Sequence, residues 1–180
     1  MTKFVEDDLE FDFSWADLGE NFDCDMRHAG HQMKRVDFIA EKENQCFFIE
    51  IKDPDHPKAG QNLAENRVKF LSGNLVHDLA VKYRDSLLFK TLCDSVQKEL
   101  HYIVLFSMKS MEPALLMARN DALKKAIPIS HKEWGREMAT SCLILNIEQF
   151  KKKFGEQSVR IRLGFIFDSG SSHNMVLMPD

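Results

Sequence analysis

The chain lacks any run of eighteen apolar residues, the minimum for a helix that crosses a bilayer. Its opening residues, MTKFVEDDLEFDF, are acidic where a secretory leader carries positive charge and an apolar stretch. A soluble, cytoplasmic protein with no membrane partner is therefore expected. Cysteine is sparse and dispersed: Cys24, Cys46, Cys93 and Cys142 contain no CxxC pair, which argues against a disulfide framework and suits a reducing compartment. There is no G-x-S-x-G elbow and no glycine-rich loop after a strand. Hydrolase triads and nucleotide-dependent kinases are thereby poor readings. Internal repeats and long low-complexity segments are also missing.

What is present suffices for a real core, since 44% of the 180 residues are hydrophobic, and a chain of that length is expected to form one domain, 1–180. The net charge of −4 hides an asymmetry. Residues 1–25 hold nine acidic residues against one base, Lys3, a balance of −8, so the rest of the chain carries +4. Such an acidic segment on a basic body reads as a solvated lead-in, a site for a protein partner, or an arm shielding a cationic surface from nucleic acid.

The pattern of apolar residues gives the elements. A short helix near Phe4–Glu10 and an extended stretch through Asp25 are expected at the start. Val36, Phe38 and Ala40 then alternate with Asp37 and Ile39, the polar EKEN turn intervenes, and Phe47–Lys52 is rich in aromatic and β-branched residues, predicting a β-hairpin over RVDFIAE and FFIEIK. Pro54 and Pro57 end its second strand. Helical spacing of Leu63, Val68, Leu71, Leu75, Leu79 and Tyr83 predicts a long helix from Gln61, breaking near Gly73, and a second helix spans Ser86–Glu99. HYIVLFSM and SCLILN read as buried strands, PALLMARNDALKKA as a helix opened by Pro113, IEQFKKKF as a helix closed by Gly155, and SVRIRLGFIF as a strand. The fold class is α/β, a mixed β-sheet flanked by helices.

The hairpin carries the chemistry. Residues two apart on a strand face the same way, so Glu50 and Lys52 project together while Ile49 and Ile51 point to the opposite face. Closure around Glu43 and Asn44 sets Asp37 across from Glu50. Two carboxylates this close repel unless one keeps its proton or a divalent cation lies between them. Oxygen ligands suit Mg²⁺ or Mn²⁺, which use one or two carboxylates together with substrate phosphate, and Lys52 would add positive charge beside them. The bland alternative is an exposed cross-strand charge pair on a half-solvated sheet, worth little energetically.

Asp37 followed by Glu50-Ile51-Lys52 on an apolar strand, with a helix and the strand HYIVLFSM behind, resembles the PD-(D/E)xK nuclease superfamily, which includes restriction endonucleases and many repair and defence nucleases. The resemblance covers Arg35 to about Met108 and implies a restriction-endonuclease-like core in α-β-β-β-α-β order. It assigns 30–108 to the nuclease-like core, after the acidic segment 1–25, and makes 109–180 peripheral. It further implies a metal-dependent nuclease acting on DNA, less readily RNA, with Asp37 and Glu50 as ligands for Mg²⁺ or Mn²⁺ and Lys52 as the catalytic lysine. Where the family often has a further acid on a first helix, Glu6 or Glu10 is the match, with Glu20 behind them. Val36 stands where the family name has proline. A relative without activity, serving as a nucleic-acid- or protein-binding module, is the alternative, and a homodimer would suit cutting of both strands.

Outside the hairpin, Gln61, Arg67 and Lys69 are candidate substrate contacts, joined by Lys82, Arg84 and the run Lys151–Lys153 as residues able to track a phosphate backbone. The duller reading of each is a solvated helix face or a helix cap. Cys24, His28 and His31 have a spacing that could hold a structural zinc, against a plain polar loop.

Overall fold

The computed structural model describes residues 3–24, 32–54, 68–94, 96–108 and 112–162. Its centre is a five-stranded mixed sheet in the order β3-β4-β5-β6-β7, formed by Leu18–Asn21, Phe38–Lys42, Gln45–Lys52, Glu99–Phe106 and Ser141–Leu145. β4 runs antiparallel to both β3 and β5, while β6 is parallel to β5 and β7 parallel to β6. The helices α1 (Asn74–Cys93) and α2 (Pro113–Ala126) lie in the two parallel crossovers. The middle strand β5 is buried along nearly its whole length, as the interior strand of a sheet covered on both faces must be.

Side-chain alternation along β5 divides the molecule into layers. Phe48 shares its face with Tyr102, Val104 and Phe106 of β6 and packs on Leu79 and Tyr83 of α1 and on Leu116 and Leu123 of α2. Phe47, Ile49 and Ile51 face the other way and pack against Leu9, Phe11, Phe150, Phe154 and Val159. That second layer consists of a small antiparallel sheet, β1 (Lys3–Glu6), β2 (Leu9–Asp12) and β8 (Val159–Ile161), together with α3 (Ile147–Phe154).

The run from β3 through β6, three strands, a helix and a strand, follows the order expected of the core, but no helix precedes it among the described residues. The segment expected as a helix near Phe4–Glu10 is the β1–β2 hairpin, turning at Asp7 with φ of 52°. Leu9, Phe11 and Phe13 are all buried while Glu10 and Asp12 alternate with them, and this period of two overrides the helical reading. The solvated lead-in is corrected on the same ground: much of the acidic segment is sheet.

Two further boundaries differ from expectation. Residues 68–72 are helical, Gly73 breaks the helix at a φ of 86°, and the expected second helix from Ser86 is instead the latter half of a continuous α1. Ser86 is buried there, its hydroxyl accepting the Val36 N–H at 2.9 Å, so a residue that resembled a helix start ties the helix to the lead-in of β4. Of the strand expected over SVRIRLGFIF, Val159–Ile161 form β8, Ser158 closes a 3₁₀ turn before it, Arg162 follows it outside the strand, and residues 163–167 lie outside the described residues. By contrast, α2 and α3 occupy the expected spans. Pro113 stands in the first turn of α2, and α3 opens on a capping box between Asn146 and Gln149 and ends at Gly155, whose φ is 101°.

Candidate active site

The β4–β5 pairing fixes the carboxylates. Phe38 pairs with Ile49 across a turn at Glu43 and Asn44, and one further step in that register sets Asp37 against Glu50. Asp37 is 7% exposed and Glu50 fully buried, so the exposed cross-strand charge pair is excluded. The backbone holds Asp37 on both sides: its carbonyl accepts the Phe22 N–H at 2.8 Å, and its Oδ2 accepts the Ile51 N–H at 2.5 Å. Glu50 is held by cations instead. Its Oε1 accepts from Lys52 Nζ at 2.5 Å and from Lys82 Nζ at 2.7 Å, while Lys82 Nζ lies 3.8 Å from Asp37 Oδ1.

Lys82 reaches this point from α1, the helix packed on the Glu50 face of β5. Sequence reasoning placed it among residues able to follow a phosphate backbone and missed its position between the carboxylates. No local spacing links it to Glu50, 32 positions earlier. The other face of the lysine group opens on a cleft of about 160 Å³ lined by Lys34, Lys52, Lys69, Lys82, Asp78 and the apolar Leu75 and Leu79. Four lysines around so small a space, against the one acid Asp78, give the cleft a positive potential.

The electrostatics follow from burial and proximity. Burial, then the neighbouring Glu50 charge, pushes Asp37 from its ordinary 3.8 up to about 8, against the opposing pull of Lys82, Lys52 and the Ile51 N–H. Burial works against the Lys52 ammonium, but Glu50 and Asp37 outweigh it and hold Lys52 above the usual lysine value.

The remaining candidates separate. Glu6, on the inward side of β1, comes within electrostatic reach of Glu50 and Lys52, and its carboxyl is raised by burial, Asp7, Asp23 and Glu50 against the pull of Lys52. Glu10 is not part of this group: it sits on the outer face of the small sheet, paired with Arg160 across β2 and β8 and 3.7 Å from Lys3. Glu20 lies with Glu41 beside Lys90, at 3.9 and 3.5 Å. Lys69 lines the cleft, whereas Gln61 and Arg67 lie outside the described residues, as do His28 and His31 of the suggested zinc cluster. Arg84 donates to the Ala80 carbonyl, Lys151 pairs with Glu156, and Lys153 lies over the Phe47 and Phe154 rings.

No family model matches the chain, and no curated protein does. A solved structure to which it is similar is the small subunit of the heterodimeric restriction endonuclease R.BspD6I, at 14% identity and a TM-score of 0.39 over 80% of this chain. The chain spans 61% of that subunit's length. Among the described residues no helix is long and apolar enough to cross a membrane.

The donor set suits a hard divalent cation. Among the described residues no three of the metal-ligating types His, Cys, Asp and Glu cluster, but Mg²⁺ needs only one or two carboxylates when waters and substrate phosphate complete its shell. Glu50 Oε2 is the telling atom. It is buried and has no hydrogen-bond partner among the described residues, a costly state for a carboxylate oxygen that a cation would relieve.

Proposed function

We propose that the protein is a metal-dependent nuclease that hydrolyses phosphodiester bonds of DNA, with RNA the lesser candidate. The observation that carries this reading is the buried pair Asp37 and Glu50, with a Glu50 oxygen unpartnered among the described residues, set behind a cleft whose walls carry four lysines. Buried carboxylates that repel one another are expensive in a merely structural role, and an anion-attracting mouth leads to them.

Asp37 and Glu50 would hold Mg²⁺ or Mn²⁺, which when bound supplies Lewis acidity to a phosphoryl oxygen and lowers the pKa of a coordinated water. Lys52 stands on the same strand face as Glu50, where its ammonium offsets negative charge developing on the phosphate and orients the attacking water. The lysines of the cleft receive the flanking backbone charge, and Leu75 and Leu79 give that cleft a dry wall that strengthens each ion pair. Glu6 is the further acid nearest to hand, aimed at the same charges.

The test is cleavage of DNA and RNA substrates by wild type and Lys52→Ala, purified identically, with Mg²⁺ or Mn²⁺ and again after chelation. Wild type is expected to cut only with the metal, and the variant to lose about 10²-fold or more. Equal cutting by both proteins overturns the assignment of Lys52. A second reading, an inactive nuclease-fold module that binds nucleic acid or a protein partner, is favoured by one observation: Lys52 and Lys82 together neutralise Glu50 without any metal. Salt-sensitive nucleic-acid binding with no cleavage under any metal would select it.

A further inference from the structure

The ammonium of Lys82 lies between the two carboxylates proposed to hold a metal, 2.7 Å from Glu50 and 3.8 Å from Asp37. The same side chain also forms part of the cleft wall beside Lys34, Lys69 and Lys52. We infer that Lys82 is the resident counter-ion of the metal-free site, displaced from Glu50 by an incoming divalent cation and turned into the cleft to bind a phosphate of the substrate. This rests on the nuclease reading and adds to it a coupling between metal and nucleic acid.

Charge balance gives the inference its force. In the metal-free quartet Lys52 and Lys82 are set against Glu50 and Asp37, so their charge is engaged inside the site rather than offered to an anion. A divalent cation entering as Lys82 moves outward adds positive charge to the site and frees the Lys82 ammonium to face the cleft. A phosphodiester would then meet both the metal and a lysine that was previously occupied. Lys52 has no such freedom, being on the same strand as Glu50 and hydrogen-bonded to it at 2.5 Å. Lys82 is carried by a separate element, α1, so its side chain can turn away from Glu50 without disturbing the strand that holds the carboxylate.

Two measurements on the full chain test this. In the first, wild type is reacted with an amine-directed reagent with and without Mg²⁺, and modification of each lysine is read by mass spectrometry. Modification of Lys82 is expected to rise severalfold with Mg²⁺ while Lys52 changes little. In the second, Mg²⁺ binding is measured by calorimetry for wild type and for Lys82→Met, with a thermal melt to establish that the variant is folded. Removing the competing ammonium is expected to tighten Mg²⁺ about tenfold and to weaken the gain in DNA affinity that Mg²⁺ confers. Binding of Mg²⁺ that leaves Lys82 equally unreactive, or that is weaker in Lys82→Met, overturns the displacement but not the metal site. Absence of Mg²⁺ binding in both proteins overturns the nuclease reading and this inference together.

Discussion

Asp37 is a residue whose ionisation the fold resists. Its carboxyl titrates near 3.8 when unfolded and at about 8 in the native protein, so the native state binds the extra proton between those values. Metal-free protein therefore loses this contribution to stability as pH rises from about 4 through about 8. Asp37→Asn keeps an oxygen to accept the Ile51 N–H but has nothing to titrate. Chelator-treated Asp37→Asn is expected to exceed wild type by a few kcal/mol above about pH 8 and to converge with it near pH 4, in urea melts across that range. Mg²⁺ should stabilise wild type at the alkaline end and leave the variant unmoved. The sequence exposes Asp37, Glu50 and Lys52 because strand alternation and a two-residue turn are local rules that set all three on one face. It does not expose Lys82, whose partnership with Glu50 depends on where a helix lands.

Elements were legible where one period dominates and obscure where two compete. The stretch PALLMARNDALKKA has a proline at its start and a helical stripe, and α2 spans it completely. The first twenty residues place Phe4 and Val5 side by side before the alternation of Leu9, Phe11 and Phe13 begins, and their strands are secured by packing onto the central sheet rather than by propensity. Gly73 is the informative break. It lies at a φ of 86°, and an added Cβ would approach Arg119 Nη1 to 3.0 Å. Arg119 meanwhile donates from Nε to the Phe70 carbonyl at 2.7 Å, tying α2 to the turn that carries Lys69. Gly73→Ala is expected to cost about 1–2 kcal/mol in a thermal or urea melt, because only glycine takes this backbone conformation without strain.

For the whole molecule, a net charge of −4 does not predict attraction to a polyanion, so the proposed function requires the lysine-lined cleft on the Glu50 side of the sheet to supply it locally. Affinity for duplex DNA is expected to fall linearly with salt on logarithmic axes. The slope should lessen by about 0.9 for each phosphate contact removed, so Lys34→Gln and Lys69→Gln should each flatten it by about one unit, measured by fluorescence anisotropy over a salt series. The distribution of these charges along the chain also bears on how the molecule assembles. Asp37 and Glu50 meet through a tight hairpin, a structure that closes in about 1–10 μs, whereas Lys82 must arrive with α1 from 32 residues beyond Glu50. In the interval the hairpin carries two mutually repelling carboxylates, and α1 brings the opposite charge to them. On that order of events, the pair proposed to hold a metal in the finished protein would also serve as the electrostatic landing mark for α1, the longest helix among the described residues.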